Sequence, residues 1–540
     1  MPLSRLFDAF RKEEIAGKPK EYALRLFDEW AYRSQLPKFS EVSDLATTMF
    51  QVEHPISDIK DKLCDKLPFD KKLIERFIDR IEAEKRRNKR LDDVIPVHVW
   101  ELYTANVSSF LQQTAHVIVS RLLLYRVGLD KGVFDQMGLP DPPRPYLRFC
   151  KAIRERMETS ASGIYFLSEF DWWYVPDVYR GALALQQQTQ LGNIEDELDV
   201  AASHIVETLR AYDFSNVDRD VWKDVYLSYL SQDERQRLGF VPTPDEVVEL
   251  ILDLAGYEET NEGLCQEKLI DPACGSGTFL VEALLRLRKH LERKMNCHAE
   301  LHERNMPTWE RNKKILDTLT EEIHGVDIHP FATFLTTLNL LFQVLDLFST
   351  VKDHYPDYSL GLKIVTHDSL VLHPSLAEYQ QERLTNARLA EAVKRTRQYE
   401  QINNLKFGYV VGNPPWGGVL RGKIGPLGDA EKRKEYEEYK GAFGKFDIYA
   451  LFIERGLRWL DENGILGMIT QVTYLDSSFG KGILDYIKEN ATITHIVDLS
   501  DLGDIIFPGF TNYPAISIMR KTRAPSEANT IRIKVTGKKT

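Results

Sequence analysis

Hydrophobic positions change their rhythm near residue 215. Before it, apolar residues recur at helical spacing over 22–32, 71–87, 99–127, 146–157 and 194–212, with little strand-like alternation. After it, short apolar runs at 268–271, 322–327, 362–366 and 405–411 alternate with longer helical patterns at 245–254, 281–285, 286–319, 331–345, 382–401 and 446–460. Later strands are expected at 465–470, entered through an Asn463-Gly464 turn, and at 493–499 and 515–519. Strands alternating with helices predict a doubly wound α/β sheet. The expected organisation is an all-helical N-terminal domain, 1–215, followed by an α/β domain, 216–540.

Composition narrows the class. The chain is 43% hydrophobic and 28% charged, as in ordinary globular proteins. Its net charge of -11 allows nucleic acid to bind only through local basic surface or a partner that supplies it. The run Lys85-Arg86-Arg87-Asn88-Lys89-Arg90 is the densest basic patch of the first half; a solvated helix end explains it slightly better than a phosphate contact. Cys64, Cys150, Cys265, Cys274 and Cys297 show no metal spacing, which fits a reducing compartment and no zinc. No signal peptide is expected, and the most apolar helical stretch, 116–127, is broken by Arg121 and Arg126, so no membrane span is expected. The segment 141–145 reads as a loop, and Asp171-Trp172-Trp173-Tyr174 as a packed aromatic cluster. A short helix is expected over 222–230. The helical half carries no nuclease signature.

The chemistry lies in the second half. Thr243-Pro244-Asp245-Glu246 reads as a helix start with Thr243 as N-cap, able to receive a carboxylate but also an ordinary helix beginning. Asp271-Pro272-Ala273-Cys274-Gly275-Ser276-Gly277-Thr278 ends an apolar strand in an acid, a Gly-x-Gly turn and a helix. The glycines let backbone approach a ligand, while Asp271 would repel a pyrophosphate and attract a sulfonium bearing an amino group. Asp327, closing the second strand, suits ribose hydroxyls or a helix cap. Asp368, after the third strand, can accept from an adenine amine or make an Asx turn.

Val410-Val411-Gly412-Asn413-Pro414-Pro415-Trp416-Gly417 then ends the fourth strand. Two prolines stiffen the turn. The Asn413 side-chain oxygen and the Pro414 carbonyl can accept from an exocyclic amine, and Trp416 can stack on the ring that carries it. An ordinary turn beside a core tryptophan is the alternative.

In this order, these motifs resemble the adenine-N6 DNA methyltransferases, in the gamma arrangement, including type I modification subunits, fused type II enzymes and phage-defence methylases. The resemblance covers about 222–521. It implies an S-adenosylmethionine-dependent methyltransferase fold, Rossmann-like. Thr243 would hold the methionine end of S-adenosylmethionine, Asp271, Gly275 and Gly277 its centre, Asp327 the ribose and Asp368 the adenine. Ala273, Thr278, Ile328 and Ser369 join the cofactor-binding set. Asn413, Pro414 and Pro415 with Trp416 would form the catalytic turn, and Trp416 would stack on an extruded base. An aromatic on the opposite side of that base is implied, Phe479 in the first place and Tyr474 in the second. Pro242 departs from the family, which usually has Tyr there.

The resemblance implies methyl transfer to adenine N6 in double-stranded DNA, with base flipping and without a metal or covalent intermediate. It also implies a bacterial or archaeal cytoplasmic setting in restriction-modification or antiviral defence. The polar segment 417–444 reads as a closing loop or a mere insertion. With some twenty residues after Arg520, no target-recognition domain is expected, so specificity is expected from a separate specificity or defence-system subunit, the alternatives being the helical half or a larger system of which this chain is one portion. Rival readings are a methyltransferase acting on RNA or on protein glutamine, and a non-catalytic nucleic-acid-sensing scaffold.

Overall fold

β1 (Leu269–Asp271) and β4 (Phe407–Gly412) lie side by side at the centre of an eight-stranded sheet. The other strands are β2 (Ile323–Asp327), β3 (Lys363–Thr366), β5 (Leu460–Gln471), β6 (Ala491–Asp498), β7 (Pro514–Lys521) and β8 (Ile531–Lys534). Their order is β3-β2-β1-β4-β5-β7-β6-β8. The first five run parallel; β7 lies antiparallel between β5 and β6, and β8 pairs in parallel with β6. This computed structural model describes residues 107–130, 243–297, 306–355, 357–374, 386–416, 436–444, 446–478, 480–500, 503–507, 513–522 and 531–534.

The described helices are α1 (Val107–Asp130), α2 (Asp245–Ala255), α3 (Thr278–Cys297), α4 (Thr308–Glu322), α5 (Pro330–His354), α6 (Asn386–Asn403), α7 (Ile448–Trp459), α8 (Gly480–Asn490) and the single turn α9 (Gly503–Ile506). The chain winds outward from β1 through β2 to β3, then restarts at β4 on the other side. Right-handed crossovers then place the two sets of helices on opposite faces. Helices α2 to α5 accordingly contact one another, while α7 contacts α8. A strand covered on both faces is apolar throughout, and all six residues of β4 are buried.

The core joins Ile270, Val326, Val365 and Val410 of four adjacent strands to Tyr399 and Ile402 of α6 and Tyr449, Ile453, Leu457 and Trp459 of α7. Each such burial is worth about 1.5–3 kcal/mol. Helix α5 is long and apolar enough to cross a membrane, but 89% of its most apolar window is buried in the fold. It is a core helix, packed on α3, α4, β2, β3 and α1.

The doubly wound sheet expected from the sequence is present. Several local readings change. Thr243 is not the N-cap of α2: Pro244 occupies that position, and its carbonyl accepts from Val247 and Val248. Strand β5 begins before Asn463-Gly464, not after it. Asn463 takes a left-handed φ of 68° inside the strand, where pairing jumps from Phe407–Leu460 to Tyr409–Ile465. An irregularity can thus carry a turn signal without ending the strand. Strand β8 was not expected, and among the described residues the most apolar long helix is α5 rather than 116–127. Of the N-terminal readings, α1 bears out a helix within 99–127. The readings at 22–32, 71–87, 85–90, 141–157, 171–174, 194–212, 222–230 and 417–435 lie outside the described residues, as does Phe479.

Candidate active site at the sheet switch point

The winding reverses between β1 and β4, so their carboxyl ends open a crevice no crossover covers. The turn after β1 fills one side. Asp271 accepts at Oδ1 from Ala273 N–H at 2.9 Å, Cys274 N–H donates to Val326 at 3.1 Å, and Gly277 N–H donates to Cys274 at 2.7 Å. Gly275 and Gly277 take φ values of 55° and 93°. A Cβ at Gly277 would lie 2.9 Å from Thr336 Cγ2, so this turn admits only glycine where it crosses α5. Thr336 donates to the Gly275 carbonyl and Asn339 to the Ser276 carbonyl, each at 2.8 Å. Thr278 opens α3 directly after the turn.

Asp327 ends β2 beside this loop. Its Oδ2 accepts from Gly275 N–H at 3.0 Å and its Oδ1 from His329 N–H at 2.8 Å. Each oxygen retains lone-pair capacity for a further donor. Ile328 is 56% exposed, an apolar surface next to two acids. Asp368, after β3, accepts at Oδ1 from Leu370 N–H at 2.9 Å, so the Asx turn considered from sequence is formed. Ser369 is buried, and its hydroxyl donates to Pro272 at 2.5 Å. It therefore ties the third-strand turn to the first.

Asn413 leaves β4 on the other side of the crevice. A Cβ at Gly412 would lie 2.6 Å from Asp271 Oδ1, so glycine lets the end of β4 close on the acid of β1. Asn413 Nδ2 donates to Thr243 Oγ1 at 3.0 Å. This leaves Asn413 Oδ1 as the acceptor of its amide. Pro414 is buried, while Pro415 and Trp416 are partly exposed. Trp416 meets Phe507 edge to face, with centroids 5.0 Å apart.

Tyr474, the second choice for an opposing aromatic, is excluded from that role. It is wholly buried and hydrogen-bonds Ser517 Oγ at 2.8 Å. Phe507 is the aromatic that reaches Trp416, and sequence reasoning passed over it, since one aromatic in an apolar run gives no signal. The polar grip of α5 was also missed, although its signal exists. Thr333, Thr336 and Asn339 recur every three residues through an apolar helix and all are buried.

Burial dominates the electrostatics. It pushes the Asp271 carboxyl up to about 8, opposed by the Ala273 N–H and reinforced by Asp327. Asp327 is also raised by burial, against the N–H groups of His329 and Gly275. Burial raises the Cys274 thiol as well, leaving it protonated and inert. Burial thus holds both carboxyls toward their protonated forms, and a cationic ligand placed beside them would restore the ionised form of each. No group of three or more His, Cys, Asp or Glu that could hold a metal occurs among the described residues.

The geometry agrees with what the chain resembles. Residues 217–355 match the N-6 DNA methylase family, and residues 321–505 match the Eco57I restriction-modification methylases. The type II methyltransferase M.BstVI of Geobacillus stearothermophilus is 27% identical over 282 residues, 52% of this chain and 42% of that protein. The type II restriction enzyme and methyltransferase RM.Eco57I of Escherichia coli is 25% identical over 335 residues, 57% of this chain and 32% of that protein. The chain thus spans less than half the length of either. The DNA-bound, ATP-dependent type ISP restriction-modification enzyme LlaBIII shares the fold at a TM-score of 0.50 and 16% identity, over 88% of this chain and 30% of that one. A glycine turn and an Asn-Pro-Pro-Trp turn thus meet at one switch point inside the segments that match the N-6 DNA methylases and the Eco57I restriction-modification methylases.

Proposed function

We propose that the chain transfers a methyl group from S-adenosylmethionine to the N6 amine of an adenine in DNA, within a restriction-modification or phage-defence system. The observation that carries this reading is the meeting of Asn413 with Thr243, which joins the amine-accepting turn to the edge of the cofactor crevice. The crevice residues fit the cofactor. A left-handed glycine turn offers close backbone approach, Asp271 and Asp327 favour a cation, and exposed Ile328 offers a flat nucleoside an apolar contact. Thr243, Asp271, Ala273, Gly275, Gly277, Thr278, Asp327, Ile328, Asp368 and Ser369 would hold it, Ser369 through the turn that it braces.

Bound there, S-adenosylmethionine supplies an electrophilic methyl group. The chain supplies position and acceptors. Adenine N6 is a weak nucleophile because its lone pair is delocalised into the ring. Asn413 Oδ1 and the Pro414 carbonyl accept its two hydrogens, which favours a pyramidal nitrogen with a freed lone pair. Trp416, partly exposed and braced edge-on by buried Phe507, offers the extruded base a stacking face, because N6 is out of reach inside a duplex. In-line positioning accounts for most of the acceleration.

The target is double-stranded DNA, and its recognition calls for basic surface beyond this acidic chain's crevice, from the N-terminal portion 1–215 or from a specificity or defence-system subunit. The setting is the cytoplasm of a bacterium or archaeon. The test is incubation with methyl-labelled S-adenosylmethionine and unmodified bacterial DNA, followed by digestion to nucleosides. Label in N6-methyladenosine, absent with Asn413→Ala, supports the reading. Label in RNA or in protein glutamine instead overturns the DNA assignment, and failure to bind S-adenosylmethionine overturns the enzyme.

A further inference from the structure

The turn that carries Asp368 is gripped from behind in an unusual way. Four consecutive carbonyls, Ser369 to Leu372, are each held by a side chain. Ser369 accepts from Arg455 Nε at 2.7 Å and from Tyr399 OH at 2.9 Å. Leu370 accepts from Tyr439 OH at 2.8 Å and Leu372 from Asn403 Nδ2 at 3.1 Å, while Val371 shares the single Tyr399 O–H with Ser369, also at 2.9 Å. Arg455 organises the group. It is 4% exposed, lies 3.9 Å over the Trp459 ring, and also donates to Tyr399 OH and Asn403 Oδ1. Its hydrogen-bond partners are all neutral, so its charge is not spent on a paired carboxylate.

The peptide between Ser369 and Leu370 connects this cation to the site. Its C=O is the group that Arg455 and Tyr399 hold, and its N–H is the group that donates to Asp368 Oδ1. A guanidinium on the carbonyl polarises the whole peptide and strengthens that N–H as a donor. One carboxylate oxygen is thereby fixed, and the direction of the other is fixed with it.

We propose that Arg455, with Tyr399, is a positioning residue that aims the Asp368 carboxylate at the amino group of the cofactor's adenine and so sets the preference for adenosine over its deaminated counterpart. This rests on the proposed cofactor reading. A lysine at 455 keeps the charge but loses the planar fork that reaches Ser369, Tyr399 and Asn403 together. A phenylalanine at 399 keeps the ring and removes the bridging hydroxyl. Burial pushes that hydroxyl up to about 12, so it stays a donor at neutral pH.

The experiment is titration calorimetry of the full chain with S-adenosylhomocysteine and with S-inosylhomocysteine, in which a carbonyl replaces the adenine amine. Wild type should prefer the adenosyl ligand, because an amine pairs with a carboxylate and a carbonyl does not. The ratio of the two affinities should fall about tenfold in Arg455→Lys and in Tyr399→Phe, which is one hydrogen bond to a charged group lost from discrimination. An unchanged ratio in a folded variant, even with both ligands weakened, reduces Arg455 to a structural role and overturns the proposal. Should Arg455→Lys not fold, Tyr399→Phe decides alone. Wild type that binds neither ligand sinks the cofactor reading itself, a result distinct from an unchanged ratio.

Discussion

Asn413 Nδ2 lies 3.0 Å from Thr243 Oγ1, across 170 residues of sequence. One residue ends the central strand β4, and the other precedes helix α2. Their bond decides which end of the Asn413 amide faces the crevice. Thr243→Val keeps the shape and removes the acceptor, so the amide is free to turn. The expected result is a fall of about tenfold in kcat, equivalent to about 1.4 kcal/mol, with little change in cofactor affinity. Single-turnover label transfer beside equilibrium binding separates the two effects.

The glycine turn tolerates no Cβ where it crosses α5. Gly277→Ala brings a methyl within 2.9 Å of Thr336 Cγ2 at a left-handed φ of 93°. Strain and overpacking together should cost about 2–4 kcal/mol and lower the thermal midpoint by several degrees. Cofactor binding should be lost more fully than stability. Thermal melts with and without S-adenosylhomocysteine check both parts, since the ligand-induced rise should vanish in the variant.

Asp271 gives a pH signature with the opposite sign to most carboxylates. Its native pKa is raised to about 8, against an ordinary value of 3.8. Through the interval between them the unfolded chain releases this proton while the fold retains it, so its contribution to stability is full below the lower value and is lost as pH rises through the upper one. Asp271→Asn cannot ionise. Its midpoint should therefore decline less than that of wild type as pH is raised from about 5 to about 8. Parallel slopes for the two proteins would show that Asp271 is already ionised in the native state.

Phe507 should act on DNA and not on the cofactor. It is 1% exposed and braces Trp416 edge-on at 5.0 Å, and stacking of an extruded base on Trp416 would be worth about 1–3 kcal/mol. Phe507→Ala is expected to lower kcat/KM for DNA by about ten- to a hundredfold while cofactor affinity stays as in wild type. Trp416→Ala should act in the same direction. Equal losses for DNA and cofactor would mean that Phe507 only supports the fold.

Much of this was legible in the chain itself. Apolar runs ending at Asp271, Asp327 and Asn413 gave β1, β2 and β4, because a strand buried on both faces must be apolar, and its polar end then marks where the sheet meets solvent; the run before Asp368 gave the less buried edge strand β3. Gly275 and Gly277 announced a turn that other residues cannot make. The same local signals misled where local geometry had two outlets. Asn463-Gly464 made an irregularity within β5, and Thr243 yielded the cap position to Pro244 and turned to Asn413 instead.

What the sequence determined by itself was the set of elements and the residues at their tips, since these follow from periodicity and backbone sterics within a few positions of the chain. The tertiary structure alone decided which tips meet. It placed β4 against β1, so that Gly412 closes on Asp271. It set Phe507 rather than Tyr474 against Trp416, and it brought Arg455 beneath the turn of Asp368, 87 residues away in sequence and one peptide distant in space. Such pairings depend on how helices and strands pack over long sequence separations, and no local pattern encodes them.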